Sequence, residues 1–267
     1  MKKLPIYQVD AFADAVFKGN PAAVVTLEKD WLSDELLQNI AAENNLAETA
    51  YIIKRKDHYD IRWFTPATEV DLCGHATLAS AHVILNLLEQ KNKQVVFQSH
   101  RSGTLTVTQN KEQLELDFPT DVLEKTDLPE ALIQGFGVVP TEIWKGKTDY
   151  MLVFDTQDQV EALQPNFHWV ARVEARGIIV TAPAKDTSID FVSRFFAPQS
   201  GIDEDPVTGS AHTSLVPYWA KRLNKTTLVA HQVSPRGGIV HCQHQGERVK
   251  LAGKSSLYLE GNILLED

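Results

Sequence analysis

Apolar and polar positions change period several times along the chain, and each change predicts an element. Residues 7–12 and 22–27 read as short strands, joined by a loop that holds Gly19, Asn20 and Pro21. Ser33 stands where an N-cap oxygen is wanted, and Asp34 and Glu35 fill the first turn, where the helix dipole favours negative charge. Leu36, Leu37, Ile40 and Ala41 then form an apolar stripe, and Asn44-Asn45 ends the helix. Residues 50–54 and 59–64 read as a strand pair around Lys56-Asp57-His58. A polar loop over 65–74 precedes an almost wholly apolar helix from 75 to about 88, and a helix apolar on every side is a buried one. Residues 94–99, 104–109 and 113–117 alternate as strands do.

Residues 118–127 carry Pro119 and few apolar positions, which marks a domain boundary and suggests domains over 1–118 and 119–267, with the last strand free to return to the first. Beyond it, 149–154, 177–181 and 191–196 read as strands, with a helical piece near 160–163 and a helix over 210–223. Four strand-like runs finish the chain, with turns at residues 235–238, 245–247 and Gly261-Asn262.

The two halves repeat one pattern. Arg62-Trp63-Phe64-Thr65-Pro66 leads through a loop with Glu69 and Asp71 to Gly74-His75-Ala76 at the start of a helix. Arg194-Phe195-Phe196-Ala197-Pro198 leads through Asp203, Glu204 and Asp205 to Gly209-Ser210-Ala211, again opening a helix. Related domains built this way would each offer a helix N-terminus, whose free N–H groups and positive dipole end suit a carboxylate or a developing enolate. Glycine at that point lets a ligand approach the backbone closely.

Composition narrows the function classes. The 267 residues contain 26 Lys+Arg against 35 Asp+Glu, a formal charge of −9, which repels phosphate backbones and anionic lipid. The two lysines near the N-terminus have no apolar run behind them, so no secretory signal is expected. The longest apolar stretch is shorter than the ~20 residues of a membrane span. With Cys73 and Cys242 the only thiols, a soluble cytoplasmic protein with reduced cysteines is the expectation, with neither nucleic acid nor membrane as partner.

Four ionisable or hydroxyl groups fall on the loops that the duplication singles out. Glu48 precedes an apolar strand, where desolvation would raise its pKa and suit it to carry protons near neutral pH. His75 opens a helix, and the dipole there favours a neutral imidazole. Asp205 precedes Pro206, which biases it to an extended backbone, and Ser210 either donates to a ligand or caps its helix. Gly253-Lys254-Ser255 lacks the preceding glycine of a phosphate loop, and Ser210 is not in a nucleophile elbow. His241 and Cys242 are neighbours on a strand and point to opposite faces, so they do not form a metal site. No metal and no cofactor are expected.

Taken together, Val9-Asp10-Ala11-Phe12, Gly19-Asn20-Pro21-Ala22, residues 45–49 (Asn-Leu-Ala-Glu-Thr), residues 73–78 (Cys-Gly-His-Ala-Thr-Leu) and residues 205–212 (Asp-Pro-Val-Thr-Gly-Ser-Ala-His) resemble the PhzF-like family of phenazine-biosynthesis proteins. The resemblance implies an α+β, diaminopimelate epimerase-like fold. It has two similar domains, each a curved, mostly antiparallel sheet around a central helix, with the active site in the cleft between them. It also implies a homodimer and a cofactor-independent isomerase. In the phenazine enzyme a glutamate moves a proton between ring carbons of trans-2,3-dihydro-3-hydroxyanthranilate. Glu48 matches that glutamate, and His75, Asp205 and Ser210 match the groups that hold substrate and help deliver the proton. Asn20, Gly74, Ala76, Gly209 and Ala211 match substrate-binding positions, the glycines bringing N–H groups to the substrate carboxylate. Racemases of this fold use two cysteines. Here the second loop has no thiol, which disfavours that chemistry and makes Cys73 a small buried residue. An epimerase using Glu48 with another acid, and a non-catalytic metabolite-binding protein on the same scaffold, are the alternatives.

Overall fold

The computed structural model describes residues 1–266. The chain divides into two compact units, one formed by residues 1–117 with the segment from Ala252 onward, the other by Phe118–Leu251.

The first unit runs β1 (Lys2–Ala11), β2 (Asn20–Leu27), α1 (Asp34–Asn44), β3 (Glu48–Lys54), β4 (Tyr59–Phe64), β5 (Glu69–Val70), α2 (Gly74–His82), β6 (Gln94–Ser99), β7 (Gly103–Asn110) and β8 (Gln113–Pro119). Two of its pairings are parallel, β2 with β3 and β4 with β6. A parallel pair needs a crossover, and α1 and α2 supply them. The rest is antiparallel: β1 with β2, β3 with β4, β4 with β5, β6 with β7 and β7 with β8. On one face of the sheet Val25, Leu27, Tyr51, Ile53 and Phe64 pack with Leu37 and Ile40 of α1. The alternate positions Ala22, Val24, Ala50 and Ile52 are buried as well, so β2 and β3 read as unbroken apolar runs.

Helix α1 starts as its sequence dictates. Ser33 Oγ accepts from the Leu36 amide, and Asn45 takes the left-handed conformation (φ 48°) that ends the helix. Every residue of α2 from His75 to His82 is buried. Its hydroxyls are satisfied locally, Thr77 Oγ1 donating to the Cys73 carbonyl and Ser80 Oγ to that of Ala76.

The second unit runs β9 (Glu124–Lys125), α3 (Glu130–Phe136), β10 (Glu142–Lys145), β11 (Asp149–Val153), α4 (Gln157–Ala162), α5 (Phe167–Val170), β12 (Gly177–Pro183), β13 (Phe191–Ala197), β14 (Ile202–Asp205), α6 (Gly209–Leu223), β15 (Thr227–Gln232), β16 (Gly238–Gln245) and β17 (Arg248–Gly253). Its pairings repeat those of the first unit in order and sense. β10 is antiparallel to β11, β11 parallel to β12, β12 antiparallel to β13, and β13 antiparallel to β14 and parallel to β15. Leu132 and Phe136 of α3 and Val160 of α4 close one core with Leu152, Ile178, Val180, Val192 and Phe196. Trp219 of α6 stacks on Phe191 (ring centroids 5.6 Å) and donates its indole N–H to Thr181. Pro217 cannot donate to the carbonyl four residues back, and the Asp121 amide takes that acceptor, the carbonyl of Thr213. The last strand, β18 (Ser255–Leu265), pairs with β1 along its whole length.

Several readings of the sequence change. The apolar helix is α-helical only to His82, and Val83–Leu88 widen into a π-helical turn. Gly261-Asn262 is not a turn, because β1 runs past it and pairs with both residues, at Ile6 and Pro5. The segment from Ala252 onward groups with the first unit, a return for which the sequence reading left the last strand free. The short α3, β10 and α5 carry too few periodic positions to be read in advance.

The duplication is visible in side chains. Arg62 grips Glu69 with two parallel hydrogen bonds, 2.7 and 2.8 Å, and lies over the Phe64 ring. Arg194 grips Glu204 in the same way, 2.7 and 2.9 Å, and lies over the Phe196 ring. In each unit this pair ties the strand before the acidic loop to the short strand after it.

Candidate active site

In the first unit the loops between elements bring Asn20, Glu48, Cys73 and His75 together. Asn20 opens β2 and Glu48 opens β3, while Cys73 is the residue before α2 and His75 its second residue. Gly19 makes the entry to β2 possible. Its φ is +63°, and a Cβ there would meet the Ala11 carbonyl oxygen at 2.1 Å.

His75 has only 5% of its surface exposed and is approached on both ring nitrogens. At Nδ1 lie the Asn20 amide nitrogen, 3.2 Å away, and Cys73 Sγ, 3.5 Å away. At Nε2 lies Glu48 Oε2, 3.1 Å away. That contact is close but off the line of a well-directed hydrogen bond. Nε2 carries a proton toward Glu48 both in the imidazolium and in the neutral tautomer that accepts from Asn20.

The expected neutral imidazole is not what these neighbours favour. Burial opposes the charge on His75, but Cys73 and Glu48 against its two nitrogens outweigh it and push its pKa well above the ordinary value. Burial also pushes the Cys73 thiol up, with the Glu48 charge adding to the effect, although the Ala76 amide donates to its sulfur. A protonated thiol contributes little to a cation, so the Glu48 carboxylate is the decisive partner.

Three potential metal ligands, Glu48, Cys73 and His75, lie within 4.8 Å of one another. The thiol and the carboxylate face opposite nitrogens of the one imidazole. A single ion takes only one of those nitrogens, so the arrangement suits a proton relay better than chelation. His241 and Cys242 behave as the strand geometry predicts, the first exposed and the second buried.

In the second unit the equivalent place holds Asp205, Thr208, Gly209 and Ser210. Asp205 Oδ2 accepts from the Thr208 hydroxyl at 2.5 Å. Gln232, fully buried, fastens the loop from below: its Oε1 accepts from the Thr208 amide, and its Nε2 donates to the Asp205 carbonyl and to Thr208 Oγ1. Ser210 does not cap α6, since it is the second helical residue and the cap position is Thr208. Its Oγ accepts from Arg176 Nη1 at 2.7 Å. Ala76 and Ala211 are buried, and the Ala76 amide is already engaged by the Cys73 sulfur.

Strand pairing aligns the two sets residue by residue. Tyr51 faces Arg62 and Val180 faces Arg194, so Glu48 corresponds to Gly177. Val70 faces Trp63 and Asp205 faces Phe195, so Asp205 corresponds to Val70. Cys73-Gly74-His75 then match Thr208-Gly209-Ser210. Each unit has one acid beside its helix start, but from different strands. Gly177 could not carry one, because a Cβ there would meet the Phe195 ring at 2.1 Å.

The sequence reading missed Arg176, Asp149 and Gln232, which belong to no motif and make contacts 27 to 34 positions away, and it gave no role to Thr208, which stands inside the run 205–212.

A sequence model of the PhzC-PhzF family, described as phenazine biosynthesis-like protein, matches residues 9–261. The chain is 48% identical over 263 residues to an uncharacterized isomerase of Pseudomonas aeruginosa, covering 98% of this chain and 100% of that one. It is similar to the crystal structure of a PhzF-family phenazine biosynthesis protein of Enterococcus faecalis, with TM-score 0.94, 45% identity and coverage of 99% and 100%. A probable proline racemase of Agrobacterium radiobacter shares the fold at 11% identity, with TM-score 0.62 and coverage of 98% and 93%. The architecture is thus the α+β fold of the epimerases and racemases.

Proposed function

Because the chain belongs to the PhzC-PhzF family of phenazine biosynthesis-like proteins, we propose that it is an isomerase that moves a proton within a small carboxylate-bearing molecule, with Glu48 as the general acid/base. The observation that carries this reading is the seating of Glu48. Its side chain is 14% exposed and lies 3.1 Å from His75 Nε2, beside the N-terminus of a fully buried helix. An acid held this way can take a proton from a carbon and return it to another. The electron pair left on the carbon passes into a conjugated system as an enol or enolate, which the returned proton resolves to the product. No redox partner is needed, because proton and electrons are conserved.

Each remaining group has a part. His75 holds the carboxylate in place through Nε2, while Asn20 and Cys73 fix the ring at Nδ1. Gly74, half-buried at the start of α2, is the glycine whose amide would meet a carboxylate, while Gly209 is buried at the start of α6. Asp205 and Ser210, at the equivalent helix start of the second unit, are the hydrogen-bonding groups for substrate in this reading. A two-thiol racemase is disfavoured, since the counterpart of Cys73 is Thr208 and Cys242 lies within β16. The substrate class proposed is a dihydro-hydroxyanthranilate-like acid.

The test is proton NMR in D2O. The protein is incubated with trans-2,3-dihydro-3-hydroxyanthranilate and a panel of small amino and hydroxy acids. Deuterium entering one carbon is expected with the wild type, and Glu48→Gln should lower that rate roughly 100-fold or more. Wild-type exchange in Glu48→Gln would remove Glu48 from the role. Inversion at an α-carbon together with label would make the protein an epimerase instead.

A further inference from the structure

We propose that Arg176, held by Asp149, is a positioning residue that commits the Ser210 hydroxyl to donate to substrate. The inference rests on the proposed function, in which Ser210 meets the substrate.

The geometry begins with a fixed cation. Arg176 Nε donates to Asp149 Oδ1 at 2.9 Å, and Nη2 donates to Oδ2 of the same carboxylate. Asp149 is 3% exposed, and Arg176 also lies over the Phe195 ring, 5.3 Å from its centroid. A guanidinium gripped by a carboxylate on one edge and resting on an aromatic face has little freedom left. Its remaining terminal nitrogen, Nη1, reaches Ser210 Oγ at 2.7 Å.

The direction of that last bond is forced. Arginine has donors and no acceptor, so Ser210 Oγ must accept. A hydroxyl has a single proton, and its acceptor side is now taken by a cation. The proton is therefore turned toward whatever acceptor lies beyond the protein, and the nearby positive charge strengthens it as a donor. A substrate oxygen that gains negative charge as an enolate forms would benefit most.

The duplication supports the assignment independently. His75 and Ser210 occupy the same position in their helices. In the first unit that residue is held by Glu48, the first residue of β3. In the second it is held by Arg176, the residue before β12, and Gly177 stands at the place equivalent to Glu48. Both units thus reach from the start of the same strand to the second residue of the same helix. An acid makes the reach in one unit and a base-paired cation in the other.

A double-mutant cycle tests this, with trans-2,3-dihydro-3-hydroxyanthranilate as the probe and deuterium exchange as the readout. Ser210→Ala and Arg176→Met are each expected to lower kcat about tenfold with a smaller change in KM, as loss of a charge-assisted hydrogen bond would. In the Ser210→Ala background, Arg176→Met should then change kcat by less than about threefold, since its route to the substrate is already cut. Arg176→Lys keeps the charge and one donor and should recover part of the rate. Arg176→Met leaves Asp149 buried without its partner, so Arg176→Met/Asp149→Asn is run beside it to separate lost stability from lost positioning. Additive effects of the Arg176 and Ser210 changes would overturn the proposal, as would wild-type kcat in a folded Arg176→Met/Asp149→Asn protein. A silent Ser210→Ala with a sensitive Glu48→Gln would place the fault in the reading of Ser210. Silence in Glu48→Gln with an intact cycle would fault only the proton carrier.

Discussion

At the scale of single residues, the site turns on which neighbour controls His75. A histidine at a helix N-terminus and buried to 5% exposure has two reasons to stay neutral, and one carboxylate reverses both. If Glu48 is the cause, neutralising it should let burial prevail. In Glu48→Gln the His75 midpoint, followed through its ring resonances by NMR, should fall, whereas in Cys73→Ala it should stay raised. A midpoint that stays raised in Glu48→Gln and collapses in Cys73→Ala would make the thiol the controlling group. Part of this was legible beforehand. Glu48, His75, Asp205 and Ser210 stand in short runs of unusual composition, and the loops that carry them begin or end at apolar elements. Arg176 and Asp149 were not, because an arginine 34 residues before its serine announces nothing until the sheet brings them together.

At the scale of elements, the two units are one design carried out twice, and the Arg–Glu pairs show how unequal the copies have become. Glu69 is held by Arg62 and also by Arg101 at 2.8 Å. Glu204 has Arg194, whose Nη1 also donates to the carbonyls of Val160 and Leu163 at the end of α4. Arg194→Met therefore strands a carboxylate that is 15% exposed and two helix-end carbonyls, at a cost of about 3 kcal/mol. Arg62→Met leaves Glu69 its second partner and should cost about half of that. Denaturant unfolding of the two variants checks the order, and an equal or reversed loss would refute it. Alternation made most strands readable, and capping made the ends of α1 readable. The π-helical turn after His82 was not, because Val83–Leu88 have the composition of any buried helix. Nor was the run of β18 through Gly261-Asn262, a dipeptide with turn chemistry that a long partner strand overrides.

At the scale of the whole molecule, two buried histidines give each unit its own sensitivity to acid. His82 belongs to the first unit and accepts at Nδ1 from Ser255 and Asn86, and burial lowers its pKa to about 4. His212 belongs to the second, where its ring bonds the Thr208 carbonyl through Nδ1, and burial lowers it likewise to about 4. Both are near 6.5 when unfolded, so between those values the unfolded chain binds more protons than the folded one, and stability falls as pH falls. From pH 7 to pH 5 each unit should lose about 2 kcal/mol on this account. His75 acts in the opposite sense: its raised pKa stabilises in full below 6.5, and that contribution declines as pH rises from 6.5 through the folded value, so it offsets part of the first unit's loss on going from pH 7. The lowered carboxyl Glu69 acts below its ordinary range and so lies outside the window. Hydrogen exchange followed separately in the two units at pH 7 and pH 5 should show both losing protection. His82→Gln should flatten the response of the first unit alone, and His212→Asn that of the second. Protection unchanged between the two pH values would mean that these imidazoles find a way to charge inside the fold. A loss shared by both units in either single variant would mean that the units do not unfold as separate bodies.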